Sequence, residues 1–501
     1  MNSSNIEEIN KNNIYEECLV TLEERIYEHS LSLPCKPAII GTDGSFITYD
    51  QLKERIFRAF NSFCKRGLKK GDHIILSAEK SIEFVSLYFG AHWGGITTFP
   101  LDPETNSVRI KKIMEAVQPK YILGDFRHLG ENESVNYQSF LEVNQQEKES
   151  LANLSLENVA DVMFTTGTTS DPKGVMLTNL NEAAAARNIN QFIGNKENDI
   201  EMLALPISHS FGLGRLRAAL SNGQTVVFVN GFASMKKFFG AIEKYGVTGF
   251  GMVPASWAYL SKMSGDRIAQ YSHQLKYIEI GSAFLPLEEK ERLMRLLPET
   301  KICMHYGLTE ASRSTFISFH EEADFLQSAG KPSPNCQVAI FSSEGVKLPV
   351  GKEGEICVNG DHVCSGYFNS SEEIFNKDSF QGYFRTGDWG LMDENGYVYL
   401  KSRTKEMINV GGKKVSPMEV EEILNSYPGI EESACVGYKD EVLGEVVKAF
   451  VTGSTASEDD KKIIEFVSQN LENYKVPVYI SHIDSLPKTS SGKIQRLKLK
   501  G

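Results

Sequence analysis

The chain has 501 residues, 41% of them hydrophobic and 24% charged, with 41 glycines and 17 prolines, which excludes a disordered, collagenous or low-complexity protein. At roughly 150 residues per domain the length predicts about three folding units or two unequal ones. Sixty-five acidic against 53 basic side chains leave a formal charge of −12, which argues against a general nucleic-acid binder.

The N-terminus carries Glu7 and Glu8 and no apolar region, so it does not read as a secretory signal. Gln51–Lys65 has the period of an amphipathic helix and Ile74–Leu76 that of a buried strand. The uncharged run Phe84–Leu101 contains His92, Gly94, Gly95 and Pro100, and reads as a helix entering a buried strand rather than a membrane span. Tyr121–Leu123, Thr225–Val229, Tyr277–Ile280 and Lys301–His305 follow as strands, with an amphipathic helix over Met235–Tyr245. This alternation predicts α/β layers with largely parallel sheets. From Val338 to Leu400 the helices drop out and glycine-punctuated strands succeed one another (Val338–Phe341, Gly354–Val358, Tyr397–Leu400). Ser416-Pro417-Met418-Glu419 then reads as a capping box, and Val420, Ile423, Leu424 and Tyr427 give the helix one apolar face. Strands at Ser433–Val436, Val446–Thr452 and Val478–Ile483, with a helix from about Glu458, complete a small α+β unit. The eight cysteines form no CxxC pair and read as reduced, mostly buried thiols of a cytoplasmic protein without a structural metal.

Four segments carry chemistry. Thr165-Thr166-Gly167-Thr168-Thr169-Ser170-Asp171-Pro172-Lys173-Gly174 lies between two strand-like runs; its hydroxyls, backbone N–H groups and Lys173 suit a polyphosphate, although such a run by itself also serves as a polar hairpin loop. It is not a GxxxxGK[ST] loop, which occurs nowhere in the chain. His305-Tyr306-Gly307-Leu308-Thr309-Glu310 ends a strand, where open α/β sheets bind ligands: an aromatic ring there stacks on a base, a hydroxyl reaches phosphate and a carboxylate holds Mg²⁺. Thr386-Gly387-Asp388 offers a carboxylate of the kind that pairs with ribose hydroxyls. Pro487-Lys488-Thr489-Ser490-Ser491-Gly492-Lys493 sets a lysine in a Ser/Gly-rich stretch within a basic C-terminal segment.

In this order the segments resemble the adenylate-forming superfamily of acyl-CoA synthetases, adenylation domains and luciferases. The resemblance runs from Thr48-Tyr49 and Pro100-Leu101-Asp102 through Gly354-Glu355 and Gly366-Tyr367 to Lys493. It implies a large N-terminal domain over 1–402 of layered α/β sheets plus a β-barrel (338–402), and a small mobile α+β C-terminal domain over 403–501. It also implies a phosphate loop at Thr165–Gly174, nucleotide contacts at His305, Tyr306 and Gly307, catalytic Thr309, Mg²⁺ on Glu310, a ribose aspartate at Asp388 and an arginine at Arg403. Lys405 falls on the hinge and Lys493 on the lysine of the first half-reaction. Ser402 stands where the family usually has glycine.

The implied reaction joins a carboxylate to the α-phosphorus of ATP with loss of pyrophosphate, catalysed mainly by positioning and charge neutralisation. The small domain then rotates at Lys405 and brings Asn409-Val410-Gly411-Gly412 against the acyl-adenylate and the pantetheine arm; the two glycines also fit a plain turn. The segment Ile207-Ser208-His209-Ser210-Phe211-Gly212 lacks the aspartate that amino-acid-activating members place there and is similar to fatty- and aryl-acid CoA synthetases, whose equivalent His or aromatic gates the acyl pocket; a lone histidine is more often a hydrogen-bonded core residue, and the motif favours a ligand-facing His209. Arg215 and Arg217 read as structural ion pairs, with a polar acyl pocket as the other reading. The leading expectation is an acid–thiol ligase using ATP, Mg²⁺ and CoA on a carboxylic acid of fatty or aryl type, not an α-amino acid. Its rivals are loading of a separate carrier protein's phosphopantetheine, an acyl-adenylate oxygenase and a noncatalytic nucleotide sensor.

Overall fold

The computed structural model describes residues 19–130, 133–141, 154–165, 173–371, 379–403, 406–456, 459–488 and 494–500. Four sheets organise them. The largest has nine strands in the order Lys331–Pro332, Thr315–Ser318, Lys301–Tyr306, Tyr277–Ile280, Gly249–Met252, Ile200–Leu203, Thr225–Phe228, Pro37–Ile40 and Phe46–Thr48. Its six central strands are parallel, and antiparallel strands close both edges. The second has six strands: Gly366–Tyr367, Gly174–Thr178, Val159–Phe164, Thr97–Leu101, His73–Ser77 and Tyr121–Leu123. Central strands such as Tyr277–Ile280 are buried at every residue, as parallel strands covered by helices must be.

The run Phe84–Leu101 resolves as expected into a helix, Ile82–Trp93, and a wholly buried strand, Thr97–Leu101. The helix Tyr49–Lys65 is capped by Thr48 and Gln51 in a reciprocal box and buries Leu52, Ile56, Phe60 and Phe63 on one face. Among the described residues no helix is long and apolar enough to cross a membrane.

Strands Gln337–Phe341, Gly354–Asn359, Tyr383–Met392, Ser379–Phe380 and Val398–Arg403 form the β-rich unit, all antiparallel. The last sheet, in the C-terminal part, contains Ile408–Val410, Lys413–Val415, Ile430–Asp440, Gly444–Gly453 and Tyr479–His482, with helices Pro417–Asn425 and Asp460–Asn470. The expected capping box is half made. Ser416 accepts from the Glu419 N–H at 3.3 Å, but the Glu419 carboxylate turns away to Lys475 at 2.7 Å. Ser416 Oγ instead donates to the Lys401 carbonyl, tying this helix to the strand that precedes it. Seven of the eight cysteines are described; Cys303, Cys357, Cys364 and Cys435 are buried, whereas Cys35 and Cys64 are exposed.

A charged group sits in the core behind the six-stranded sheet. Asp161 accepts from Tyr88 at 2.7 Å and from Thr98 and Arg217, and His92 bridges Asp161 (3.4 Å) and Glu23 (3.1 Å). Burial opposes the charge on His92, but the hydrogen bonds and charges of Asp161 and Glu23 outweigh it and push its pKa up to about 10.

Candidate active site

In the strand Lys301–Tyr306 successive side chains point to opposite faces, and this separates two candidate residues that are neighbours in sequence. Tyr306 reaches the β-rich unit, where its hydroxyl donates to Asp388 Oδ2 at 2.7 Å. Asp388 is paired in register with Arg403 on the adjacent antiparallel strand, and Arg403 Nε lies 2.9 Å from Asp388 Oδ1. The Asp388 N–H donates to Thr386 Oγ1 at 3.1 Å, which fixes the turn at Gly387. Asp388 is buried while the Arg403 side chain remains 48% exposed, so the carboxylate is held firmly and the arginine faces the open side. The Asp388 charge raises the Arg403 pKa.

His305 does not join this group. It points to the other face, with Nδ1 2.6 Å from Glu279 Oε1 and its ring edge-on to Phe211 at 4.6 Å. Strand alternation thus puts the His305 side chain on the face opposite Tyr306.

A second group lies just beyond Tyr306. Glu310 Oε1 accepts from the Tyr367 hydroxyl at 3.3 Å, and its carbonyl accepts from the Cys364 N–H at 2.8 Å. The Tyr367 ring lies 4.9 Å from Lys173 Nζ, and the strand Gly366–Tyr367 pairs with Val175 and Met176, directly after that lysine. At the mouth of the Thr-rich loop the Thr165 N–H donates to the Lys173 carbonyl at 3.1 Å, and Arg109 Nη2 donates to the Thr165 carbonyl at 3.1 Å. Thr166, Gly167, Thr168 and Thr169 lie outside the described residues, as do Lys405 and Lys493. Lys488 and Ile494, which flank Lys493, pair as an antiparallel bridge.

No cluster of three or more His, Cys, Asp or Glu side chains suited to a metal exists among the described residues. A single carboxylate at Glu310 fits Mg²⁺ all the same, because that ion is commonly held by one or two carboxylates together with substrate phosphates.

His209 caps the helix Ser210–Ser221 from an extended backbone conformation, half-buried, without a side-chain hydrogen bond to the helix. Arg215 and Arg217, farther along, are in buried ion pairs. Arg215 holds Glu201 at 2.5 Å and Glu279 at 3.1 Å; Arg217 holds Asp161, Glu182 at 2.8 Å and the Tyr88 hydroxyl at 2.9 Å. Arg217 also edges a cavity of about 20 Å³, room for about one water, that touches Thr309, Ser312 and His362. Thr309 thus meets the core on this side.

Gly411 and Gly412 form the two-residue turn between Ile408–Val410 and Lys413–Val415, with φ of 58° and 85°. Two successive left-handed residues make the primed turn that hairpins favour, so glycine is required there by the backbone alone. Sequence reasoning passed over Tyr367, Arg109, Glu279 and Arg313 as site residues. One signal was available: Glu279 is a lone charge in the apolar run Tyr277–Ile280, and such a charge demands a buried partner.

Comparison with known proteins agrees with this geometry. The AMP-binding enzyme family model matches residues 27–368, and the AMP-binding enzyme C-terminal domain matches 419–493. Oxalate–CoA ligase of Arabidopsis thaliana is 30% identical over 491 residues, covering 91% of this chain and 94% of that protein. 2-Succinylbenzoate–CoA ligase of Bacillus mycoides (strain KBAB4) is 29% identical over 463 residues, covering 91% and 93%. Among solved structures, o-succinylbenzoate coenzyme A synthetase (MenE) from Bacillus subtilis, in complex with ATP and magnesium ion, superposes with a TM-score of 0.85 at 26% identity, covering 95% of this chain and 99% of that one. Matched over both its large and its small part, and carrying Tyr306, Glu310 and Asp388 around one strand end, the chain belongs to the AMP-binding enzyme family.

Proposed function

We propose that this protein is an AMP-forming acyl-CoA synthetase, which activates a carboxylic acid other than an α-amino acid with ATP and passes the acyl group to CoA. The observation that carries the reading is the meeting of two groups at one strand end: Asp388 with Tyr306 and Arg403, and Glu310 with Tyr367 and Lys173. Asp388 takes the ribose hydroxyls and Tyr306 lies along the base. Lys173 and the Thr-rich loop take the phosphates, helped by the Thr309 hydroxyl. Glu310 holds Mg²⁺, and the ion supplies charge neutralisation on the phosphates. The acid enters beside His209.

Attack of the acid's carboxylate on the α-phosphorus brings two anions together, and the cost falls as fixed positive charge surrounds them. Lys493 supplies that charge in the first half-reaction. The chain then pivots at Lys405, between a large domain over 1–402 and a small one over 403–501, and the turn at Gly411 and Gly412 comes beside the pantetheine arm. The cytoplasm is the compartment assigned, since eight scattered cysteines without a CxxC pair suit reduced thiols.

The test is pyrophosphate release over a panel of carboxylic acids, followed by thioester formation with free CoA or with purified carrier proteins. Acid-dependent release and a CoA thioester are expected. Release without any thioester to CoA would overturn the acceptor assignment, and no release with any acid would overturn the whole reading.

A further inference from the structure

Behind the Lys301–Tyr306 strand, on the face away from Tyr306, the protein buries a cluster of charge. Glu279 is fully buried on the neighbouring parallel strand, and three groups converge on it: Arg215 Nη1 and Arg313 Nε, each at 3.1 Å, and His305 Nδ1 at 2.6 Å. Glu201 takes the rest of Arg215. Two arginines are therefore balanced by two carboxylates, and a proton added to His305 has no counter-charge in the cluster. Burying such a charge is costly, so burial keeps the His305 pKa below its ordinary value.

The placement of this ring is built in detail. It lies over Gly281, where a Cβ would come within 2.3 Å of Nε2, so only glycine admits it. Its edge meets Phe211 in the first turn of the helix that His209 caps. Arg313 clamps the same turn, donating to the Ser210 carbonyl at 3.1 Å and the Phe211 carbonyl at 3.0 Å. Among the described residues nothing hydrogen-bonds His305 Nε2, and the side chain keeps 8% exposure at the strand end. With Nδ1 held against the Glu279 carboxylate, Nε2 becomes a donor once it is protonated. An anionic group against Nε2 both gains a charge-assisted hydrogen bond and supplies the missing counter-charge.

We propose that His305, oriented by Glu279 and seated over Gly281, recognises a second carboxylate at the end of the acyl group remote from the reacting carboxyl, so that the substrate is a dicarboxylic acid rather than an apolar-tailed one. This rests on the ligase reading, in which the nucleotide occupies the Tyr306 face and the acid the face lined by His209, Phe211 and His305.

Pyrophosphate release with matched acids tests it: butanoate, 4-hydroxybutanoate and butanedioate; hexanoate and hexanedioate; benzoate and the benzenedicarboxylates. For at least one matched set the diacid is expected to exceed its monoacid in kcat/KM by about tenfold or more, the worth of one charged hydrogen bond. His305→Leu is expected to abolish that preference by raising the KM for the diacid, with the KM for ATP within about twofold of the parent's. Should the leucine variant lose its fold, His305→Gln, which keeps a polar group but no titratable ring, is expected to lose the preference in the same way. A wild-type preference for monoacids or for the hydroxy acid overturns the proposal, as does a preference that survives both substitutions. Absence of release with every acid overturns the ligase reading itself, a distinguishable result.

Discussion

Arg403 and Asp388 face each other across an antiparallel strand pair, joined at 2.9 Å, and the Asp388 oxygen that Arg403 leaves free accepts the Tyr306 hydroxyl at 2.7 Å. A buried carboxylate held at both oxygens is fixed before any nucleotide arrives, so its contribution to binding carries little ordering entropy. Hydrogen bonds to charged groups contribute about 1.5–3 kcal/mol. Asp388→Asn should therefore raise the KM for ATP at least about tenfold while the thermal midpoint moves by only a few degrees. An unchanged KM for ATP would remove Asp388 from the ribose site.

Stability should depend on His92 at alkaline pH. Its folded pKa, about 10, lies above the ordinary histidine value near 6.5, so its contribution is full below pH 6.5 and is lost as pH rises through 10. Unfolding midpoints recorded from pH 6 to 10 should fall in the wild type and fall less steeply in His92→Gln. Parallel curves for the two proteins would show that the imidazole is neutral in the fold. Asp161→Asn should destabilise by about 3 kcal/mol at neutral pH, because Arg217 and His92 lose their shared partner.

Glu310 and Tyr367 make a graded test of the metal position. Glu310→Gln should shift the Mg²⁺ titration of pyrophosphate release to higher concentration and slow that step, without unfolding. Tyr367→Phe removes the 3.3 Å hydrogen bond to Glu310 but keeps the ring beside Lys173, so its loss should stay near about 1 kcal/mol. An identical Mg²⁺ dependence in wild type and Glu310→Gln would place the ion elsewhere.

The two half-reactions should separate in two further variants. Lys493→Ala is expected to abolish adenylate formation nearly completely and to spare thioester formation from supplied acyl-adenylate. Lys405→Pro fixes φ near −65° and removes an N–H donor, so it should keep much of the pyrophosphate-releasing step and lose most thioester formation. Equal losses in both steps would mean general damage in the first case and an ordinary linker in the second.

The parallel strands were legible because each buried one is a short apolar run, such as Tyr277–Ile280, bounded by helical patterns. Two-residue strands such as Lys331–Pro332 and Gly366–Tyr367 were not, since two residues carry no period and tertiary contacts alone pair them. Alternation along Lys301–Tyr306 already implied that His305 and Tyr306 diverge; reading the motif as one unit hid this. The partners of Glu279 come from positions 215, 305 and 313, and nothing local in the sequence announces such a meeting. The Ser416 cap was visible, whereas the diversion of Glu419 to Lys475 depends on a residue in a different part of the small domain.

The pairing of Val175 with Tyr367 also bears on the order in which the protein is made. The strand that leaves the Thr-rich loop waits for about two hundred further residues to emerge from the ribosome before its outer neighbour exists, and closing so long a loop is slow. Asp388 and Arg403 emerge later still. A nascent chain can therefore assemble most of the nine-stranded sheet while its nucleotide site is still in pieces. Competence for ATP then comes as a late event, and ATP, by binding only the finished arrangement, draws the last strands into place.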